Sequence, residues 1–241
     1  MKTIIQVRGL TKAYGQLPAV DHESLSVKAG TVFGLLGANG AGKSTTIECI
    51  LGTKKADSGE ISILSLDPQK DRRHLFQRVG VQFQECDYQP EIKVSELCEE
   101  TVCLYKNPAD WKKLCTQFGL ANKTNSAVKS LSGGERQRLF IVLALIPNPQ
   151  VVFLDELTTG LDTKARRDVW KILEELKNQG MTIFLTSHFM DEVEALCDEI
   201  CIIKKGKIVF YGTIMQAIEK SGCEKFEDAY LALAGEEVDA E

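Results

Sequence analysis

No stretch of this sequence stays apolar long enough to cross a bilayer. The longest run, Leu139–Ile146, has eight residues and stops at Pro147, against about 20 for a membrane-spanning helix. The eight cysteines contain no C-x-x-C pair. Cys197 and Cys201 lie four apart, a spacing that lets them face one another on a helix, but no histidine or second cysteine pair completes a zinc set. No secretory leader is visible at Met1–Thr11, so the cysteines are expected to be buried and reduced in a cytosolic protein. Basic charge is also short. Against 34 Asp+Glu stand 29 Lys+Arg, a formal net charge of −5, which argues against a general nucleic-acid binder because that needs an electropositive face. Internal repeats and low-complexity linkers are absent.

What is there is an ordinary globular composition over 241 residues, 44% hydrophobic and 26% charged, enough to bury a sizeable core. The charge is unevenly spread. Residues 219–241 hold eight acids and two lysines, while the 27 basic and 26 acidic side chains of residues 1–218 leave +1. This tail reads as a solvated C-terminal helix. Thr31–Leu36, Val151–Leu154 and Thr182–Thr186 are continuous apolar runs, the pattern of parallel strands buried on both faces, and each leads into a helical pattern. Ile4–Val7, Glu60–Leu64 and Cys201–Tyr211 read as antiparallel strands, the last a hairpin turning at Lys205-Gly206. From about Glu85 to Pro149 the chain is helix-like, broken at Pro90, Pro108 and Pro147-Asn-Pro149, a helical insertion in an α/β body.

Gly37-Ala-Asn-Gly-Ala-Gly-Lys-Ser44 fits G-x-x-x-x-G-K-[ST] at every fixed position, after a buried strand and before a helical stretch, Thr45–Leu51. Glycines there let backbone N–H groups turn inward around phosphate oxygens, and the helix start adds positive potential. Lys43 reaches β- and γ-phosphates, and Ser44 offers an oxygen to Mg²⁺. Val151–Leu154 ends in Asp155-Glu156. Alone, two acids after a strand are usually a solvated loop start. Coupled to the phosphate loop, Asp155 is placed to hold Mg²⁺ and Glu156 to polarise an attacking water. His188 follows the third strand, where a γ-phosphate contact outweighs a lone surface histidine.

Leu131-Ser-Gly-Gly-Glu-Arg-Gln-Arg-Leu139 opens a second helix running to about Ile146, with Ser132 as N-cap and Gly133-Gly134 permitting close approach to an anion. The chain thus has two phosphate-binding helix starts, but only one Lys-Ser inside a glycine loop and only one Asp-Glu at the end of an apolar strand. The economical answer is that the second start serves a nucleotide held by another copy.

In their order these motifs resemble those of ABC transporter ATPases, over nearly the whole chain. Leu131–Leu139 is similar to the family's signature, Gln84 in Val79–Gln84 to its Q-loop glutamine, Leu161-Asp162 after Thr159-Gly160 to its D-loop, and His188 to its switch histidine. Tyr14 in Lys12–Gly15 is similar to the aromatic that stacks on adenine, although by itself it could equally be core. The fold implied is α/β: a P-loop NTPase core with a mostly parallel sheet, an N-terminal antiparallel β-subdomain and a helical insertion carrying the signature. In that scheme the core covers about 1–84 and 150–218, the helical subdomain about 85–149, and an acidic C-terminal segment 219–241.

The resemblance implies an ATPase using ATP and Mg²⁺. Glu156, His188 and Gln84 become catalytic, and Ser44, Gln84 and Asp155 surround the metal. The nucleotide is held by Tyr14, by Gly37, Ala38, Asn39, Gly40, Ala41, Gly42, Lys43, Ser44 and Thr45, and by Ser132, Gly133, Gly134, Glu135 and Asp162. The sequence departs from the family pattern at Ala38 and Leu157, where proline is usual, at Glu135, where glutamine is common, and at Ser65, often glycine. Leu157 loosens the turn that places Glu156 and Asp162, and Ser65 is a minor backbone change.

Two such domains would meet head to tail around ATP, a homodimer by default, and would drive a separate transmembrane permease from the cytoplasmic face. The Gln84–Leu97 and Lys204–Gly212 segments look most like ATPases of drug- and antibiotic-resistance exporters. The alternative is a soluble ABC ATPase acting on a protein or cofactor-assembly partner without a membrane subunit. A non-hydrolysing nucleotide sensor is disfavoured by the presence of both Glu156 and His188.

Overall fold

The structure, a computed structural model, describes residues 2–82, 88–89, 91–158 and 160–235. Gln84, Cys86 and Thr159 therefore lie outside the described residues. In chain order the elements are β1 (Thr3–Tyr14), β2 (Leu17–Lys28), β3 (Val32–Leu36), α1 (Lys43–Ile50), β4 (Ser58–Ile63), α2 (Arg72–Leu75) and β5 (Val79–Gln82). There follow α3 (Val94–Cys103), α4 (Trp111–Gln117), α5 (Gly133–Leu145), β6 (Val151–Leu154), α6 (Thr163–Asn178) and β7 (Thr182–Thr186). The chain ends with α7 (Met190–Leu196), β8 (Glu199–Lys204), β9 (Lys207–Gly212), α8 (Ile214–Ser221) and α9 (Phe226–Ala234). It divides into two compact units, one of residues up to Leu75 and from Thr186 onward, the other Phe76–Leu185.

In the first unit β1 pairs antiparallel with β2 on one side and β4 on the other, while β3 pairs parallel with β8 and β8 antiparallel with β9. Every residue of β3 is buried, as its unbroken apolar run requires. The β8–β9 hairpin turns at Lys205-Gly206, both with positive φ (49° and 77°), the geometry that matches strand twist. β2 is absent from the sequence reading because its alternation breaks: Val20, Glu23, Leu25 and Val27 are buried. The register runs from Lys12↔Val20 to Leu10↔Glu23, so β2 carries one extra residue. His22, at φ 55°, sits at this bulge, which turns Glu23 rather than His22 inward.

The second unit contains β5, β6 and β7, paired parallel in that order. Helices α3, α4 and α5 dominate its 93–145 stretch; among the described residues the only β-pairing there is an isolated bridge, Lys93↔Ala127. The short β5 was also not read as a strand.

Four sequence expectations need correction. The acidic tail does form a helix, α9, but that helix is not solvated all round. Helix α9 buries Phe226, Ala229, Tyr230 and Ala234, and Phe226, Tyr230 and Ala234 join Leu36, Val193, Ile200, Ile202 and Phe210 in one cluster. Burying the phenyl ring alone contributes about 2–3 kcal/mol, enough to dock a helix whose other face is acidic. Cys197 and Cys201 do not share a helix face either: Cys197 caps α7 in an extended conformation and Cys201 lies within β8. All seven described cysteines are free, but Cys103 is exposed and Cys197 and Cys223 are half-buried. Ser65, with φ 63° beside Leu64 at 55°, adopts the left-handed region that favours glycine, a larger strain than a minor change.

Candidate functional site

In the first unit the buried strand β3 runs into Gly37–Gly42, and α1 begins at Lys43. The N-cap position, Gly42, has φ 117° and α1 has no side-chain cap. A Cβ at Gly42 would lie 2.3 Å from the Ala19 carbonyl oxygen, so only glycine lets the loop pass this close to β2. The hairpin turn locks the loop from its other side. Gly206 N–H donates to the Ala41 carbonyl at 2.8 Å, and Asp21 N–H donates to the Gly206 carbonyl at 2.7 Å. Ala38, Asn39, Gly40 and Ser44 are exposed and Thr45 is half-buried. Lys43 is buried, its Nζ donating to the carbonyls of Gly37 at 2.7 Å and Ala38 at 3.1 Å. An uncapped helix start behind a glycine loop, with an ammonium drawn into it, is an anion site by construction.

Tyr14 stands at the end of β1, 49% exposed, with Lys12 and Lys54 Nζ at 6.0 and 5.2 Å from its ring centroid. Its exposure leaves room for a stacked base. His188, exposed, lies two residues beyond β7 and belongs to this same unit.

The second unit carries the acids and the second anion-ready helix. Asp155 N–H donates to the Gln82 carbonyl, and Gln82 Nε2 donates back to the Asp155 carbonyl, both at 3.1 Å. Glu156 takes φ 50°, a left-handed conformation that persists only when the surroundings hold it. Gln137 on α5 supplies such a hold, its Nε2 donating to the Leu157 carbonyl at 3.0 Å and that of Glu156 at 3.4 Å. Leu157 itself is fully buried, so packing and this amide anchor the turn where a proline ring is usual. Neither Gln82 nor Gln137 was singled out from sequence. Their only signal was amide chemistry at the end of an apolar strand and inside a helix.

Helix α5 begins with a capping box. Ser132 Oγ accepts from Glu135 N–H at 3.2 Å, and Glu135 Oε2 accepts from Ser132 N–H at 2.9 Å. The box and a 3.1 Å pair with Lys123 hold the Glu135 carboxyl below its usual range, the Ser132 amide contributing most. This carboxylate is spent on the cap, whereas the amides of Gly133 and Gly134, at the first two helical positions, have no intrahelical acceptor. A Cβ at Gly134 would meet Leu161 Cδ2 at 3.2 Å, so glycine lets α5 start close to residue 161. Asp162 caps α6, accepting from Ala165 N–H at 2.8 Å.

A strand-to-helix phosphate loop with Lys-Ser, together with a buried strand ending in two acids on an α/β scaffold, defines a nucleoside-triphosphate-hydrolysing enzyme. The chain belongs to the ABC transporter family: its residues 20–159 match that family's profile. It is 39% identical over 230 residues to the Nod factor export ATP-binding protein I of Ralstonia nicotianae, covering 93% of this chain and 72% of that one. Its identity to the protein of the same name from Rhizobium meliloti (strain 1021) is 39% over 229 residues, covering 92% and 68%. Among solved structures, an ATP binding subunit of an ABC transporter superposes with a TM-score of 0.88 at 25% identity, over 96% of this chain and 99% of that one. The chain is accordingly an ATP-binding ABC ATPase, α/β in class. No helix among its described residues is long and apolar enough to cross a membrane.

Proposed function

We propose that this ATPase closes head to tail with a second copy around ATP and thereby drives a separate membrane permease in the outward direction. One observation supports the reading: two helix starts offer amides to an anion, α1 without a cap and α5 with Gly133 and Gly134, while only α1 has a Lys-Ser set in a glycine loop and only β6 ends in Asp-Glu. The export direction rests on the relatives, which are named for Nod factor export.

In this scheme Lys43 and the amides of the 37–44 loop grip the phosphates and Tyr14 stacks on the base. Ser132, Gly133 and Gly134 of the partner copy close over the γ-phosphate, Asp162 lies at the junction of the two copies, and His188 contacts the same phosphate. Glu156 accepts a proton from the attacking water. Ser44, Asp155 and Gln84 would hold Mg²⁺, an all-oxygen donor set that suits this ion. Mg²⁺ bound there would offset charge on the β- and γ-phosphates. Among the described residues no group of three His, Cys, Asp or Glu side chains is gathered, and a metal held largely by substrate phosphates needs none. Loss of the γ-phosphate removes the contacts that favour the closed pair, so hydrolysis opens it. Gln84, at the edge of the helical segment, relays that change to the permease, and the chain works as a peripheral subunit on the cytoplasmic face.

Glu156→Gln tests the scheme. Turnover should fall about 10²- to 10⁴-fold with ATP binding retained, and an ATP-bound dimer should accumulate in gel filtration. Adding Ser132→Arg should return that species to monomer. Unchanged hydrolysis would place the base elsewhere, and a dimer indifferent to Ser132→Arg would contradict the shared site. Copurification of a multi-span protein from membranes separates the permease reading from a soluble assembly ATPase.

A further inference from the structure

Glu23 is a carboxylic acid on the inward face of β2, 1% exposed, put there by the bulge at His22. Its Oε2 accepts a hydrogen bond from Thr46 Oγ1 at 3.0 Å, whereas its Oε1 is buried without a hydrogen-bond partner. Among the described residues, no element packed around it brings a neutralising cation. Opposite on β1 is the fully buried Leu10. From β8 comes Cys201, whose thiol is pushed up by burial first and by Glu23 second. On its own strand Asp21 is bonded to His22 Nδ1 at 2.8 Å, and Lys207 of β9 is committed to Asp21 at 3.2 Å. On α1, Lys43 Nζ is held by the loop carbonyls. Burial outweighs the Thr46 bond and raises the carboxyl from 4.5 to about 7.

Alternate residues of β2 bear on the phosphate loop or its helix, directly or through the Gly206 turn. The Ala19 carbonyl lies against Gly42, Asp21 N–H holds Gly206, which in turn holds Ala41, and Glu23 holds Thr46. Thr46 follows Ser44 by two residues and lies about 4.5 Å along the helix axis from Lys43. Through the protein interior, phosphate charge at that helix start is poorly screened from Glu23. A surface cavity of about 520 Å³ lined by Asp21, His22, Glu23, Ser24, Lys207 and Ile208 brings solvent to this stretch of β2.

Resting on the nucleotide-binding reading of the 37–44 loop, we infer that Glu23 is a positioning residue whose proton is coupled to the nucleotide: phosphates arriving at α1 raise the fraction of molecules in which its carboxylate has taken a proton from solvent, and the carboxylate form opposes their binding. By linkage, nucleotide affinity falls as pH rises through the titration of Glu23, and bound nucleotide moves that titration upward. A shift of about one pKa unit corresponds to a tenfold change in affinity.

The test is Mg·ADP binding by calorimetry from pH 6.5 to 8.5, in buffers of differing ionisation enthalpy, on the full chain and on Glu23→Gln. ADP avoids hydrolysis, and with Mg²⁺ it does not itself titrate in this range. The full chain should take up a fraction of a proton and lose about three- to tenfold in affinity across the range; Glu23→Gln should bind with little proton uptake and a flat profile. Identical proton uptake and slope in the variant would overturn the inference. So would binding by the full chain with no proton uptake, which leaves the loop assignment intact, whereas no binding at any pH overturns the loop assignment as well. If Glu23→Gln does not fold, side-chain carboxyl NMR of the unsubstituted chain reads the same quantity. The Glu23 midpoint should move up with Mg·ADP, and an unmoved midpoint refutes the coupling.

Discussion

The two helix starts that offer amides to phosphate are built on opposite plans. Helix α1 opens from a left-handed glycine with no capping side chain, behind a loop clamped by β2 and by the Gly206 turn. Helix α5 opens with a reciprocal cap between Ser132 and Glu135, which satisfies its own amides at the N-cap and third positions and leaves those of Gly133 and Gly134 for a ligand. The first helix start thus depends on its neighbours and on an anion for satisfaction. The second is stable by itself and has less left to offer. That asymmetry suits a site in which one loop holds the nucleotide in the open chain and the other engages it only on closure.

The strongest way to break this contrast is at Lys43, which belongs to the holding loop alone. Lys43→Ala should weaken ATP binding about 100-fold, the scale of lost charge-assisted bonds to phosphate, measured by displacement of a fluorescent ATP analogue. Retained affinity would mean that the loop does not hold the nucleotide. Smaller is the effect at Gln137, where α5 grips the Glu156–Leu157 turn. Gln137→Ala should lower kcat about tenfold while leaving the ATP Kd unchanged, because it misplaces Glu156 without touching the loop. A change confined to Kd would show that the amide acts on binding instead. Smallest is the cap itself. Ser132→Ala should cost about 1 kcal/mol of stability in thermal or urea unfolding; no loss would mean that α5 does not rely on its box.

Much of this contrast is written openly in the sequence, and the rest is hidden for identifiable reasons. Strands β3, β6 and β7 show themselves as unbroken apolar runs, and the Ser132-x-x-Glu135 pattern marks the α5 start. Strand β2 hides behind Asp21-His22-Glu23-Ser24, a polar stretch that looks like a loop until the bulge puts Glu23 inside. Helix α9 is legible as a helix but its burial is hidden by its charge, although Phe226, Ala229, Tyr230 and Ala234 follow helical spacing and are the residues it buries. Within the site, the side chains proposed to meet the nucleotide stand out in the sequence because phosphate chemistry restricts residue type. Gln82 and Gln137 were not, since they act on backbone carbonyls and many polar residues look alike in sequence.

The pairing of β3 with β8 also sets the order in which the molecule can be made. Val32, at the foot of the strand that leads into the phosphate loop, donates its N–H to Asp198 across 166 residues of chain, and Leu36, at the strand's other end, is sealed by the cluster that includes Phe226. Ribosomes deliver the early strand long before its partners, at about 5–20 residues per second. The strand that feeds the phosphate loop is therefore made well before the segments that support it, so a nascent chain completes that support only after Phe226 has been added.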